Sequence, residues 1–116
     1  MISQKIDQGD IYWLHLEKRH PFASDYSHPH VVVENERSMV KLCAITTNMK
    51  KVNLPGNILL EAGEANLPKQ SIVDVSRVST VEKTELGEYI GSLGMQRVDQ
   101  ILTGIGFLQR MAVNRE

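Results

Sequence analysis

The chain has 116 residues, of which 41% are hydrophobic and 23% charged. These values are typical of a single folded domain spanning residues 1–116. A formal net charge of −1 provides no general attraction to nucleic acid and leaves only local basic patches, such as Lys50 and Lys51. No apolar run is long enough to cross a bilayer, and the N-terminal residues lack the apolar core of a signal peptide. We therefore expect a cytoplasmic protein.

Most of the chain before residue 94 shows the short, β-branched and alternating patterns of strands. The predicted strands, in chain order, are Asp10–Glu17, His30–Glu34, Met39–Thr46, Asn57–Leu60, a bent strand made of Ser71–Val75 and Val78–Val81, and Gly87–Leu93. Residues 35–37 are predicted as a turn, 83–86 as a helical turn, and the polar segments 18–28, 50–56 and 62–69 as loops.

The last segment has a different period. Apolar residues recur every three or four positions at Met95, Val98, Ile101, Leu102, Ile105, Leu108 and Ala112, which predicts an amphipathic helix. Gly104 and Gly106 each cost about 1 kcal/mol inside a helix, and one physical reason to carry them is close approach to a strand or another helix. The predicted fold is mainly β with a C-terminal helix (α+β), a small and strongly bent antiparallel barrel.

The thiol and imidazole side chains give no pattern typical of a metal site. Cys43 is the only cysteine and lies in an apolar run, so we expect a buried, inert thiol. His15, His20 and His30 lack a regular ligand spacing. We predict no metal and no cofactor.

Three motifs follow one another along the chain: Gly9-Asp10-Ile11-Tyr12, His28-Pro29 running into Val31-Val32-Val33, and Ile45-Thr46. In this order they resemble the MazF/PemK family of toxin ribonucleases. The first is similar to the strand that opens that domain, and the second to its Arg-Pro-Val strand. Ile45-Thr46 resembles the strand end that carries the family threonine. Later matches are Ser71-Ile72-Val73, Ser79-Thr80-Val81-Glu82-Lys83, Leu86-Gly87, Ile90-Gly91-Ser92-Leu93 and Arg97-Val98-Asp99.

The resemblance implies an SH3-like barrel of the MazF/PemK/CcdB type, assembled as a homodimer. It also implies a type II toxin that cleaves single-stranded RNA (mRNA) at a preferred sequence without a metal, leaving cyclic-phosphate and 5′-hydroxyl ends, and a cognate antitoxin as partner. The catalytic positions are then His28, in place of the family arginine, and Thr46. Structural alternatives are a histidine that only ends a loop and a threonine that only fills a strand.

Further residues follow from their loops. Thr47 and Asn48 are predicted to contact a base or sugar, Lys50 and Lys51 the RNA backbone, and Ser24 and Asp25 to match the family's first loop. Asp74 and Ser76 stand where some members have an arginine and an aspartate, so that role is not carried over, and the direction of neighbouring Arg77 is left open. Trp13 and Phe107 are assigned to core or dimer contacts, whereas Phe22 and Tyr26 are candidates for stacking on a base.

The histidine at position 28 keeps a second function open. Arginine is always charged, whereas histidine is only partly protonated near neutral pH. The alternative is therefore a catalytically impaired binding module that retains antitoxin or RNA binding, or that binds another protein, since a related toxin fold inhibits DNA gyrase.

Overall fold

A computed structural model describes residues 5–14 and 28–113. The six strands are β1 (Asp10–Leu14), β2 (Pro29–Glu36), β3 (Met39–Thr46), β4 (Ile58–Leu60), β5 (Ser71–Glu82) and β6 (Leu86–Ser92), and the helix is α1 (Met95–Val113). Single 3-10 turns cover Met49–Lys51, Glu64–Asn66 and Lys83–Glu85. The predicted stacking residues Phe22 and Tyr26, and the predicted site residues Ser24 and Asp25, lie outside the described residues.

The strands form one antiparallel sheet in the order β4-β5-β3-β2-β1-β6. Both faces of the sheet bury apolar side chains. Successive residues of a strand point to opposite faces, so an uninterrupted apolar run contributes to both clusters. In β2, for example, Val31 and Val33 join the larger cluster while Val32 joins the smaller one. Register shifts in three of the strand pairs mark bulges, which increase the local bend of a sheet. The predicted fold class, mainly β with a C-terminal helix, is confirmed.

Most strand predictions agree with the structure. β3 has the predicted bounds, and β5 is one strand with an irregularity near Ser76, as expected. The predicted turn at 35–37 is wrong, because Asn35 and Glu36 continue β2 and pair with Val40 and Met39. The connection shrinks to Arg37 and Ser38, and Arg37 adopts φ 47°. Alternation of apolar and polar residues does not show where β2 ends, since Asn35, Glu36 and Arg37 are all polar.

The helix packs on the larger cluster through Ile101, with Ile105 and Leu108 beside it, and its Val98 is also buried. A Cβ at Gly104 would clash with the carbonyl oxygen of Gly56. The close approach is confirmed there, but its partner is a turn residue before β4 and not the predicted strand or helix. It is wrong for Gly106, where a Cβ would meet only the end of a flexible arginine side chain at 3.3 Å. Leu102, part of the predicted apolar stripe, is 40% exposed.

Candidate functional site

Two neighbouring strand ends place His28 and Thr46 in one cleft. His30 of β2 pairs with Ala44 of β3. If the same antiparallel register continues for two more residues, His28, which precedes β2, lies opposite Thr46, the last residue of β3. Both side chains line a cavity of about 410 Å³. We call it the Trp13 cleft; its other lining residues are Trp13, Pro29, Ile45, Thr47, Asn66, Leu67, Pro68, Lys69, Ser71 and Ile90.

Thr46 has a hydroxyl hydrogen to donate. Its Oγ1 accepts a hydrogen bond from the backbone N–H of Asn48 at 3.1 Å. A hydroxyl is one donor and two acceptors, so this contact leaves the O–H for a substrate oxygen. Thr46 is half-buried, which holds the group at the cleft wall while leaving it accessible. The carboxamide oxygen of Asn48 in turn accepts from the N–H of Lys50 at 3.1 Å and begins the 3-10 turn.

The two lysines of the loop differ in their surroundings. Lys51 Nζ lies 2.8 Å from Oδ2 of Asp74, a side chain that is only 1% exposed, whereas Lys50 is exposed. Burial alone would raise the pKa of Asp74, but the ammonium of Lys51 and hydrogen bonds from Ser76 lower it overall. Lys51 therefore clamps the loop to β5, and Lys50 is the freely presented charge.

A second cavity, of about 540 Å³, opens on the other side of His28. We call it the Arg77 groove; its other lining residues are Leu14, His30, Ala44, Ser76, Arg77, Val78, Ser79, Thr80, Val81 and Glu85. The register between β3 and β5 jumps here, because Cys43 pairs with Val78 but the next residue, Ala44, pairs with Asp74. The extra residues of β5 form a bulge that includes Arg77, and a bulge redirects side chains. The side chain of Arg77, whose direction the sequence left open, therefore lines the same groove as His28.

His30 is buried and lines the Arg77 groove together with His28 and Arg77. Its Nδ1 lies 2.8 Å from the carbonyl oxygen of His28, and since a carbonyl can only accept, Nδ1 carries the hydrogen. Burial lowers the pKa of His30, and the charges of His28 and Arg77 lower it further, while the bond to the His28 carbonyl opposes them. A neutral His30 therefore anchors the backbone of His28 at the sheet edge.

Trp13 was assigned to core or dimer contacts, and the core assignment is wrong. Its side chain is 39% exposed and lines the cleft beside Thr46, while Phe107 is also exposed, on the helix. The sequence does not indicate that Trp13 points outward, because apolar residues occupy both faces of the first strand. Cys43, by contrast, is buried as predicted, and burial raises the pKa of its thiol to about 12.

Within residues 5–14 and 28–113 no three side chains among histidine, cysteine, aspartate and glutamate are grouped so as to hold a metal ion. His15 and His20 fall outside these ranges. In the same part of the chain, no helix combines the length and apolarity needed to span a membrane.

Known proteins identify the family. The sequence model of the PemK-like, MazF-like toxin of type II toxin–antitoxin systems matches residues 7–108. Endoribonuclease MazF2 of Mycobacterium bovis and endoribonuclease MazF6 of Mycobacterium tuberculosis are each 28% identical over 108 residues, which cover 86% of this chain and 93% of theirs.

Solved structures share the fold. The Mycobacterium tuberculosis toxin MazF-mt6 has a TM-score of 0.66 at 20% identity, covering 84% of this chain and 92% of that one. An endoribonuclease in complex with its cognate antitoxin from Mycobacterial species has a TM-score of 0.67 at 19% identity, covering 90% and 93%. The chain belongs to the family of PemK-like, MazF-like toxins of type II toxin–antitoxin systems.

Proposed function

We propose that this protein is an endoribonuclease toxin that cuts single-stranded messenger RNA in the cytoplasm, with no metal or cofactor. The observation that carries the proposal is the shared cleft of His28 and Thr46, the two residues that the sequence resemblance matches to the family's catalytic positions. The relatives in Mycobacterium bovis and Mycobacterium tuberculosis bear the name endoribonuclease, which supports the same activity.

The reaction is attack of a ribose 2′-hydroxyl on the adjacent phosphate. The bond from phosphorus to the 5′-oxygen breaks, leaving a cyclic phosphate and a 5′-hydroxyl. The site must accept the proton of the 2′-hydroxyl, return one to the leaving oxygen, and stabilise charge on the non-bridging oxygens. His28 is the side chain placed to accept and return these protons. The free O–H of Thr46 donates to a non-bridging oxygen.

Arg77 supplies the permanent charge that a histidine at position 28 lacks. A guanidinium stays protonated at all accessible pH values and offers a planar set of donors to phosphate. Arg77 lines the same groove as His28, and its charge acts on the neighbouring His30. The family arginine is thus divided between two residues here, a proton-transfer group at position 28 and a fixed cation at position 77.

The remaining predicted RNA contacts surround these groups. Thr47 and the carboxamide nitrogen of Asn48 present donors next to Thr46, and exposed Lys50 attracts the backbone. Lys51 contributes to the potential while it holds the loop against Asp74. Ser24 and Asp25 remain candidates from the first loop.

The proposed partners are an antitoxin and a second copy of the chain. An acidic, extended or helical segment of the antitoxin would lie across the RNA-binding groove and compete with RNA. Exposed apolar side chains on one helix, at Leu102, Phe107 and Met111, leave surface for a twofold dimer contact. An adjacent short gene encoding an acidic tail would support the pairing, and a monomer mass in light scattering at micromolar concentration would refute the dimer.

Single-turnover cleavage of an unstructured RNA between pH 5 and 9, in EDTA, tests the activity. We expect cyclic-phosphate ends and a rate that depends on pH, because a histidine side chain exchanges protons whereas an arginine stays charged. His28→Arg should flatten that pH dependence. Thr46→Ala should slow cleavage about 10²-fold, as expected for loss of one oxyanion donor, while Thr46→Ser keeps the hydroxyl and most of the rate. If His28→Ala cleaves as fast as wild type at every pH, the catalytic role of His28 is wrong.

The second candidate is the catalytically impaired binding module, and the histidine at position 28 is the observation that favours it. In that case wild type binds RNA or antitoxin but cleaves nothing in the same assay. Restoration of cleavage by His28→Arg would then identify the substitution that silenced the site.

A further inference from the structure

The loop between β4 and β5, residues 61–70, forms one side of the Trp13 cleft, and we call it the wall loop. Four of its residues line the cavity: Asn66, Leu67, Pro68 and Lys69. Its backbone is left-handed at three of the four positions 63–66, with φ 90° at Gly63, 50° at Ala65 and 65° at Asn66. Glycine adopts such angles freely and asparagine tolerates them, but the Cβ of alanine disfavours them. The wall loop is therefore a strained segment that other contacts must hold in place.

The first of these contacts join the wall loop to β6. A Cβ at Gly91 would clash with the carbonyl of Ala65, so only glycine at this position lets the loop lie directly on the strand. Asn66 Nδ2 donates to the carbonyl oxygen of Ile90 at 2.9 Å. The next residue, Leu67, is buried in the larger cluster. These contacts fix the part of the loop that lines the cleft.

The other contact joins the wall loop to the helix, through a bidentate ion pair between Glu64 and Arg97. Arg97 Nε donates to Oε2 of Glu64 at 2.6 Å, and Nη2 donates to Oε1 at 3.0 Å. The same Oε1 accepts the backbone N–H of Glu61 at 3.1 Å, so the carboxylate also closes the turn. Arg97 Nη1 donates to the carboxamide oxygen of Gln100 at 3.0 Å. The hydrogen bonds from Arg97 lower the pKa of Glu64, which keeps its carboxylate charged.

The helix alone does not account for an arginine at position 97. Arg97 lies in the first turn of α1, where the free N–H groups carry partial positive charge and favour an acidic side chain. The first turn of the described helix holds no acidic residue. The carboxylate that compensates the cation comes from Glu64, 33 residues away, and the two side chains are only 28% and 25% exposed. The pair therefore links two elements of the fold.

We propose that Arg97 is a positioning residue of the candidate site: through Glu64 it holds the strained wall loop in place and so sets the width of the Trp13 cleft. This rests on the proposed function and deepens it, because His28 and Thr46 line the same cleft. Those two residues lie at the ends of other strands, so loss of the ion pair moves the wall and leaves the reacting groups in place. The result is weaker binding of RNA with little change in the chemical step.

Trp13 reports on the wall loop without any RNA, because it is the only tryptophan of the chain and lines the same cleft. Quenching of its fluorescence by acrylamide measures how open the cleft is. In Arg97→Gln the quenching constant should rise about 1.5-fold to twofold, a limit set by a side chain that is already 39% exposed. Glu64→Gln should give the same rise, and both substitutions together no more than either alone, because each removes the same pair.

RNA binding and cleavage are measured on the same variants. The binding probe is an unstructured RNA with 2′-fluoro sugars, which cannot be cut because the attacking hydroxyl is missing. Its affinity should fall about tenfold in Arg97→Gln, less than the roughly 10²-fold that a misplacement of 1 Å at the reacting groups can cost. The rate at saturating normal RNA should stay within about twofold of wild type.

Glu64→Gln separates positioning from simple charge. Removal of an acidic side chain would strengthen RNA binding if electrostatic attraction alone mattered, whereas loss of the ion pair should weaken it. Charge reversal, Glu64→Arg combined with Arg97→Glu, should restore affinity and quenching toward wild type. The matched control is Arg110→Gln, which removes the same charge from the last turn of the same helix, lines neither cavity, and should equal wild type.

The outcomes separate the two proposals. Wild type that binds the 2′-fluoro RNA but leaves normal RNA uncut refutes the nuclease, and quenching and affinity still decide the role of Arg97. Wild-type quenching or wild-type affinity in both Arg97→Gln and Glu64→Gln overturns the positioning role and leaves the nuclease standing. A saturating rate that falls while affinity is unchanged also overturns it. Wild type that binds no RNA refutes both proposals.

Discussion

The two cavities that meet at His28 differ in chemistry because two different irregularities of the sheet build them. The indole of Trp13 lies in the Trp13 cleft, where extra residues of β6 interrupt the pairing with β1, and a close backbone contact at Gly91 supplies the apolar wall. A bulge in β5 brings a guanidinium and three hydroxyls to the Arg77 groove. One side is aromatic and largely apolar, and the other carries a cation and hydroxyl groups. The comparison teaches that two environments of different chemistry can be built on opposite sides of a single histidine.

The largest expected effect is on the cleavage rate, and it comes from a substitution in the Arg77 groove. Arg77→Ala should slow cleavage about 10²-fold, because it removes the fixed charge beside the phosphate. The slope of log affinity against log salt should also fall by about 0.7, the value for one lost contact to single-stranded RNA. Filter binding and single-turnover rates at several salt concentrations measure both.

Trp13→Leu is the matched variant for Arg77→Ala, since it should lower affinity without changing the salt slope. The assignment of the two sides is wrong if both variants change the slope equally.

The next effect is on the wall of the apolar side. Gly91→Ala should destabilise the fold by about 2 kcal/mol, the usual cost of forced overpacking, because backbone must move to admit the methyl group. The displaced loop should also weaken RNA binding. Urea unfolding gives the stability change. Gly94→Ala is the control, since nothing lies within 4 Å of its Cβ position and we expect little change; equal destabilisation by both would contradict the role given to Gly91.

A smaller effect concerns the buried carboxylate. Asp74→Asn should cost about 1–2 kcal/mol, because it weakens the contacts to Lys51 and Ser76. The pKa of Asp74 is lowered in the folded state, so its contribution is present above its ordinary value of about 3.9 and is lost as pH falls below it. Unfolding measured from pH 6 to pH 3 should therefore show a shallower acid loss in the variant. If wild type and Asp74→Asn lose stability equally as pH falls, groups other than Asp74 cause the acid sensitivity.

The smallest effect is that of His30. Its pKa is lowered chiefly by burial, so the unfolded chain takes up a proton first and stability falls as pH drops below about 6.5. Above that value there is no contribution. His30→Gln keeps an N–H for the His28 carbonyl and should remove about 1 kcal/mol or less of that loss between pH 7 and 5. Identical pH profiles for wild type and variant would refute this.

Much of the fold could be predicted from period and motif order. β3, the bent β5 and the C-terminal helix follow from patterns within one segment. The candidate site was only partly predictable: the strand ends matched to the family predict His28 and Thr46, which the structure places in one cleft, but the sequence does not predict the directions of Trp13 and Arg77. Each lies next to a register shift, and a shift of one residue exchanges the two faces of a strand. Single-sequence patterns do not indicate where such shifts occur.

The clamp between Lys51 and Asp74 links the two cavities mechanically. The loop that carries Thr47 and Asn48 edges the cleft, whereas Ser76, bonded to the same carboxylate, begins the groove. One buried side chain therefore sets the spacing between the loop that edges the Trp13 cleft and the strand that lines the Arg77 groove. Evolution of a new cutting sequence by remodelling this loop would change the alignment of the chemistry as well, so sequence choice and turnover should drift together unless Asp74 is preserved.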